Sequence, residues 1–363
     1  MTGSLAVTWV DSLDDVPRSR WDGLAADGGL YLSHGWLRMQ ERGSSSSRSY
    51  ALAAIGDRLV GALPVDIVER TANDYYTFRA VLPPGHPEPP EPVMLLGGRG
   101  GYAGGLLLDR SLDADGRRRT AHALLTDAVR ASERAGRAAA FFYLQDSLRE
   151  LVQETAAGGV PLLARHEAAV HLPGNGWADY LGGLSSMRRK SIRREERQFD
   201  AAGYSVTVGD LTPWLGAAGA LLANVQRRYG HDNDPGEMAE VLAEQIADLG
   251  EHVAFLCADE HGLVGFALGF PFGATLSMRA AGFDYERLRG AAEYFNLAYY
   301  RPIRWAYEHG ATRIHLGIGS LPAKSRRGAR LAPLWVVPVG WTWADESSIQ
   351  QANLERSEDP ASW

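Results

Sequence analysis

The feature that most restricts what this chain can fold into is that it contains one pattern twice. "SYALAAIGDRLVGALPVDIV" (49–68) sets apolar runs on either side of Gly56 and Asp57, and "HVAFLCADEHGLVGFALGFPFG" (252–273) does the same around Asp259 to Gly262. Each predicts a β-hairpin with Leu-Val-Gly at the start of its second strand. A second pair follows in the same order. Residues 119–144 and 293–318 each read as a helix closing at a glycine, Gly136 or Gly310, followed by an apolar strand. Hairpin, connection, helix and strand, repeated once, predict two copies of an α/β unit, since a solenoid would have a much shorter period. A length of 363 residues is enough for two such cores. The expected division is 1–157 and 158–345, parting near "TAAGGVP" (155–161). Beyond it, the polar tail 346–363 is expected to be peripheral or partly disordered.

The copies differ between hairpin and helix. There the first carries "PPGHPEPPEPVMLLGGRGGYAGG" (83–105), rich enough in Pro and Gly to predict irregular backbone, either a lid or an ordinary surface insertion. The net charge of −7 and pI near 5.8 argue against a protein that coats nucleic acid through a broadly basic surface, though local patches remain open. No run approaches the roughly 18 apolar residues of a membrane span, and the N-terminus lacks a basic region leading into an apolar core; a cytoplasmic location without membrane insertion is expected. The single cysteine, Cys257, sits in a predicted strand, as a small buried thiol rather than a nucleophile. One cysteine cannot build a disulfide framework or a cysteine zinc site, and the scattered His, Asp and Glu show no compact metal spacing, so no metal is expected.

Three segments carry a resemblance to a known family: "SSMRRKSIRREERQFDAAGYSV", a basic helix followed by a strand; "AAEYFNLAYYRPIRWAYEHGATRIHLG", a long helix and strand; and "GSLPAKSRRGA", a glycine-containing passage leading to a lysine. Their order after an "LVG" hairpin resembles the GNAT acyltransferase fold. Two such units in tandem resemble the Fem-type aminoacyl transferases, which use aminoacyl-tRNA to make peptide bonds without the ribosome. The resemblance implies an α/β chain of two tandem GNAT-like domains, each a mixed sheet flanked by helices, with the main transferase site in the C-terminal one. Two departures stand out. Pro302 falls inside the long helix, where it should kink or break it, and the coiled-coil insertion of some peptidoglycan-bridge enzymes is absent between 180 and 320.

Transfer to an amine needs a neutral nitrogen nucleophile, a route for its proton and stabilisation of the developing oxyanion. An activated ester already supplies the driving force, so positioning and charge can be the main contribution of the protein. Only two residues of the chain are lysines, Lys190 and Lys324. By its match to the family's lysine, Lys324 is the catalytic candidate, contacting the developing oxyanion or a substrate phosphate. An ammonium aims one charge at one oxygen where a guanidinium demands a fork-like partner. The alternative is a solvated lysine beside Arg326, Arg327 and Arg330.

In "MRRKSIRREERQF", Arg189, Arg193 and Arg197 share a helical face while Ile192 and Phe199 anchor another. With Arg188, they are candidates for phosphates of a tRNA acceptor stem or of coenzyme A, against a solvated helix laced with salt bridges. "RLRGAA" (287–292) resembles the pyrophosphate loop of acetyl-CoA-dependent GNAT enzymes, which makes Arg287 and Gly290 candidates. Glu293, which follows, would compete with a bound phosphate or simply favour the helix dipole. Further pocket candidates are Asp284, Tyr285, Tyr229, His231, Tyr299, Tyr300 and His315, the last three also reading as ordinary interior residues. Arg326 and Arg327 complete the substrate-binding set.

The expected activity is amide formation by transfer of an aminoacyl group from aminoacyl-tRNA to the amine of a small molecule or cell-wall precursor. The alternatives are an acyl-CoA-dependent N-acyltransferase and a non-catalytic ligand-binding protein. Aminoacyl-tRNA or acyl-CoA enters as co-substrate, with no resident cofactor; the oligomeric state is left open.

Overall fold

The computed structural model describes residues 4–42, 47–68, 74–89, 93–358 and 360. Its strands are β1 (Leu5–Val10), β2 (Ser47–Ile55), β3 (Arg58–Val68), β4 (Val93–Leu96), β5 (Leu107–Leu108), β6 (Ala138–Gln145), β7 (Leu162–His171), β8 (Ser205–Gly209), β9 (Val253–Asp259), β10 (Gly262–Phe272), β11 (Thr275–Phe283), β12 (Arg313–His315) and β13 (Arg330–Val339). The chain divides into two compact units, Met1–Glu167 with Leu331–Trp363 and Ala168–Arg330.

In the first unit the strand order is β1-β2-β3-β4-β6-β13, antiparallel throughout except for the parallel pair β4 and β6. In the second it is β8-β9-β10-β11-β12-β7, again antiparallel except for β11 and β12. Both sheets therefore follow one plan: an antiparallel run of four, a strand made parallel by a helical crossover, and one antiparallel strand beyond it. A parallel neighbour requires such a crossover. The helix Ala114–Ala135 supplies it in the first unit, started by the Asp113 side chain on the Gly116 amide and closed by Gly136 at φ +63°. These are mixed sheets flanked by helices, the α/β class that the repeated pattern predicts.

Each unit has its own core. In the first, Leu124 and Leu125 of the crossover helix are fully buried with Val60, Leu63 and Val65 of β3 and Phe141 of β6. Burial of each such side chain contributes roughly 1.5–3 kcal/mol. In the second, Phe255, Phe266, Phe270 and Leu276 are completely enclosed. There the helix Leu215–Arg228 lies directly on β11 because Gly282 has no side chain: a Cβ would stand 2.7 Å from the backbone of Leu221 and Leu222.

Three expectations are corrected. The chain's last strand and tail do not go with residues 168–330: β13 pairs with β6, matching Val337 to Phe141. The tail then forms a helix, Glu346–Glu358, with Ile349 and Ala352 buried. Arg356 anchors it by donating to the carbonyls of Leu163 (2.6 Å) and Val81 (2.8 Å). Polar composition hid this docking because few apolar residues carry it. Second, the Pro/Gly-rich passage 83–105 contains an internal strand, β4, buried along its whole length. Residues 90–92 of that passage lie outside the described ones, and Ala103 beyond β4 is also buried. The passage is thus not irregular throughout, since β4 within it belongs to the sheet. Third, Pro302 does not break its helix. The α-helical turn Glu293–Phe295 runs into a π-helical segment, Asn296–Tyr300, and then into Arg301–Glu308. The wider turn just before the proline accommodates the missing N–H and the bulk of the ring.

Candidate functional site

In the second unit, β11 and β12 pair for only three residues, from Thr275–Arg313 to Ser277–His315. β11 then continues to Phe283 while β12 ends, so the parallel strands part at their carboxyl ends, the usual place for a ligand in a sheet with parallel strands. The first unit treats the same place differently. Beyond the pairs of β4 and β6, Gly104 bridges to Leu144 and donates to the Tyr143 carbonyl at 2.9 Å. The glycine-rich backbone there fills the gap. A Cβ at Gly104 would stand 2.8 Å from the Phe142 carbonyl oxygen, so only glycine fits.

Lys324 lies at the open end. It occupies the short helix Leu321–Ser325, entered through Ser320 in the left-handed region at φ +53°. Only 6% of the residue is exposed, and its Nζ donates to the carbonyl of Leu316, the residue after β12. An ammonium has three donors. No carboxylate pairs with this one among the described residues, and burial pushes its pKa down to about 8. The alternative of a solvated loop lysine is therefore overturned: this is an enclosed cation with donors to spare, suited to an oxyanion or a phosphate oxygen.

Arg327, one turn on, is also buried and points elsewhere. Its guanidinium donates to the Tyr300 hydroxyl (3.1 Å) and to Glu195 Oε2 (3.1 Å), and it lies against the Phe295 ring. The Tyr300 hydroxyl also donates to Glu195, and burial with this carboxylate beside it holds the phenol far above its usual range. The Tyr180 hydroxyl adds a bond to the Arg327 carbonyl at 2.7 Å. A carboxylate, a phenol and a guanidinium thus tie the Lys324 turn to the basic helix Ser186–Asp200. Sequence reasoning missed Glu195 by reading it as part of a charge run. The available signal was its spacing: three after Ile192 and four before Phe199, both buried, it lies on the inward face.

The basic helix does anchor itself through Ile192 and Phe199, but its charges divide. Arg188 and Arg193 are exposed and make no ion pair among the described residues. Arg189 turns back onto the Leu184 carbonyl, and Glu196 pairs with Arg304 at 2.7 Å. Arg326 is exposed on the surface.

The loop 287–292 is already occupied by the protein itself. Glu293 is 4% exposed; its carboxylate accepts from the amides of Arg289 (2.8 Å) and Ala291 (2.9 Å) and from the Tyr204 hydroxyl (2.9 Å). These backbone donors are the ones a pyrophosphate would need. Arg287 is drawn away, paired with Asp259 and donating to the Gly262 carbonyl, with Asp284 at 3.6 Å. Sequence reading made it a phosphate candidate; in this structure the β9–β10 turn holds it. Gly290, at φ +69°, has open space around it.

The aromatic candidates separate by burial. Tyr299 is 1% exposed, its hydroxyl 3.5 Å from that of Tyr294, and His315 is buried in β12. Tyr229 is 69% exposed, at the end of the helix Leu215–Arg228; His231 follows on the surface. Cys257 is fully buried in β9, and burial pushes its thiol up to about 12, so it is no nucleophile.

Residues 186–325 match the family model of the acetyltransferase (GNAT) domain. No curated protein matches the sequence. Among solved structures, FemX is similar at a TM-score of 0.62 and 12% identity, over 89% of this chain and 96% of that one. A conserved protein of unknown function from Bacteroides thetaiotaomicron has a TM-score of 0.60 at 12% identity, over 92% and 100%. L-PGS from Bacillus licheniformis has 0.50 at 11% identity, over 81% and 85%. No helix among the described residues is long and apolar enough to cross a membrane. Residues 186–325 thus carry a GNAT domain, and the chain, with two sheets built on one plan, shares its fold with FemX.

Proposed function

We propose that this protein forms an amide by transferring an aminoacyl group from aminoacyl-tRNA to the amine of a small molecule or cell-wall precursor, at the open end of β11 and β12. The observation that carries the choice of donor is the Glu293 carboxylate on the amides of Arg289 and Ala291. A coenzyme A donor would bring its diphosphate to donors already satisfied, against a buried like charge. An aminoacyl ester on RNA has no diphosphate and needs no such cradle. The exposed Arg188 and Arg193 are available to backbone phosphates. Lys324 meets the carbonyl oxygen as negative charge develops on it, and the 2′- or 3′-hydroxyl of the donor leaves with the proton given up by the attacking amine.

The likeness to FemX supports the same reading at the level of fold. The match to an acetyltransferase domain favours a second one, acyl-CoA as donor, which would require Glu293 to leave the loop. Ribonuclease treatment separates the two. Under the first reading it abolishes product formation, and acetyl-CoA supports none. Turnover with acetyl-CoA that ribonuclease leaves intact would reverse the assignment. If the protein binds ligand but turns over with neither donor, the site is a binding site only.

A further inference from the structure

We propose that Tyr229, Tyr285 and Tyr294, with the guanidinium of Arg228, form a stacking surface for the unpaired 3′ nucleotides of the RNA that carries the donor. The inference rests on the donor assignment above and adds where the RNA end lies.

These three tyrosines are 69%, 39% and 37% exposed, although large aromatic side chains are ordinarily mostly covered. They converge on one end of the second unit. Phe283, the last residue of β11, touches both Tyr285 (ring centroids 6.4 Å apart) and Tyr294 (5.8 Å). Arg228 lies 4.8 Å over the Tyr285 ring, and Tyr229 is its neighbour in the chain.

Position gives the surface its occupant. Tyr285 follows the carboxyl end of β11, and Lys324 is bonded to the residue that follows the carboxyl end of β12. The aromatic surface and the enclosed ammonium therefore both lie on the carboxyl side of the last β11–β12 pair, Ser277–His315. From Tyr294 the path inward runs through Tyr299, at a ring separation of 5.6 Å, to Arg327 beside Phe295. Several unpaired bases in succession present several π-faces to match several rings, and stacking on them is tolerant of sequence. A cation over one ring supplies attraction for the phosphates between the bases. A coenzyme A adenine would offer a single base, and the loop that should hold its diphosphate is occupied by Glu293.

The test uses the full chain and two fluorescent RNA hairpins, one with four unpaired 3′ nucleotides and one blunt, followed by anisotropy. Wild type is expected to bind the overhang hairpin about 10-fold or more tightly than the blunt one. Tyr229→Ala/Tyr285→Ala should lose that preference while its affinity for the blunt hairpin stays the same. Tyr285→Trp, which keeps a ring under Arg228, should retain it. Retention of the overhang preference in the double alanine variant overturns the proposal. So does a wild type that does not distinguish the hairpins; if its transfer is nonetheless sensitive to ribonuclease, the donor assignment survives alone. Turnover with acetyl-CoA and no binding of either hairpin removes both.

Discussion

Replacing Lys324 with methionine should make the protein more stable and less active at once. In the folded chain the amine has a pKa of about 8 against a reference of 10.5. At about 1.4 kcal/mol per unit, holding it charged and buried at pH 7 costs on the order of 3 kcal/mol. A methionine side chain in its place would occupy similar volume without that cost but would leave the Leu316 carbonyl unpaired, a loss of about 1 kcal/mol. The net gain at pH 7 is therefore about 1–3 kcal/mol. The sign with pH follows from proton binding: between about pH 8 and 10.5 the unfolded chain holds a proton here that the folded chain has released, so wild-type stability rises through that window. The advantage of Lys324→Met should be full at pH 7 and mostly gone by pH 10.5. Urea unfolding of both proteins at the two pH values measures it, because the difference between proteins cancels other titrating groups. Turnover should fall by about 10²-fold or more, the scale of one lost oxyanion donor. A variant less stable than wild type at pH 7, or a stability gap that ignores pH, would refute the account of Lys324 as an enclosed cation.

Other outcomes follow from the same geometry. Glu293→Ala leaves two amides and the Tyr204 hydroxyl without their acceptor, so it should lose about 1–3 kcal/mol. Pyrophosphate should then raise its melting temperature while leaving that of wild type unchanged, and an equal response in both proteins would show that the loop is free in the native chain. Cys257→Ser places a hydroxyl in an apolar strand and should destabilise by about 1–3 kcal/mol with transfer intact, and a thiol reagent should label wild type only on unfolding. Arg356→Ala removes both donors that hold the C-terminal helix to Leu163 and Val81, so limited proteolysis should cut within Glu346–Glu358 in the variant first.

Much of the fold was legible in the sequence because the evidence for it is local. The hairpin turns at Gly56–Asp57 and Asp259–Gly262, the helix ending at Gly136, and the buried pair Ile192 and Phe199 each depend on residues a few positions apart. Repetition of these signals in one order sufficed for two α/β units. What lay beyond reach depended on partners far along the chain. β4 reads as part of an irregular loop until β3 and β6 are set on either side of it. The polar tail reads as peripheral until Arg356 meets carbonyls 193 and 275 residues away.

The candidate site divides along the same line. By itself the sequence determined that Lys324 is a rare lysine at the end of the second copy, that a segment resembling a pyrophosphate loop precedes the long helix, and that Glu293 follows it directly. Tertiary structure decided which side of each alternative is realised: Lys324 enclosed rather than solvated, Arg287 held by Asp259, Glu293 seated on the amides, Glu195 turned inward to Tyr300 and Arg327. The reason is physical. Residue type and spacing fix which bonds a side chain can make, but its charge state and its free donors are set by burial and by groups that only folding brings within about 3 Å.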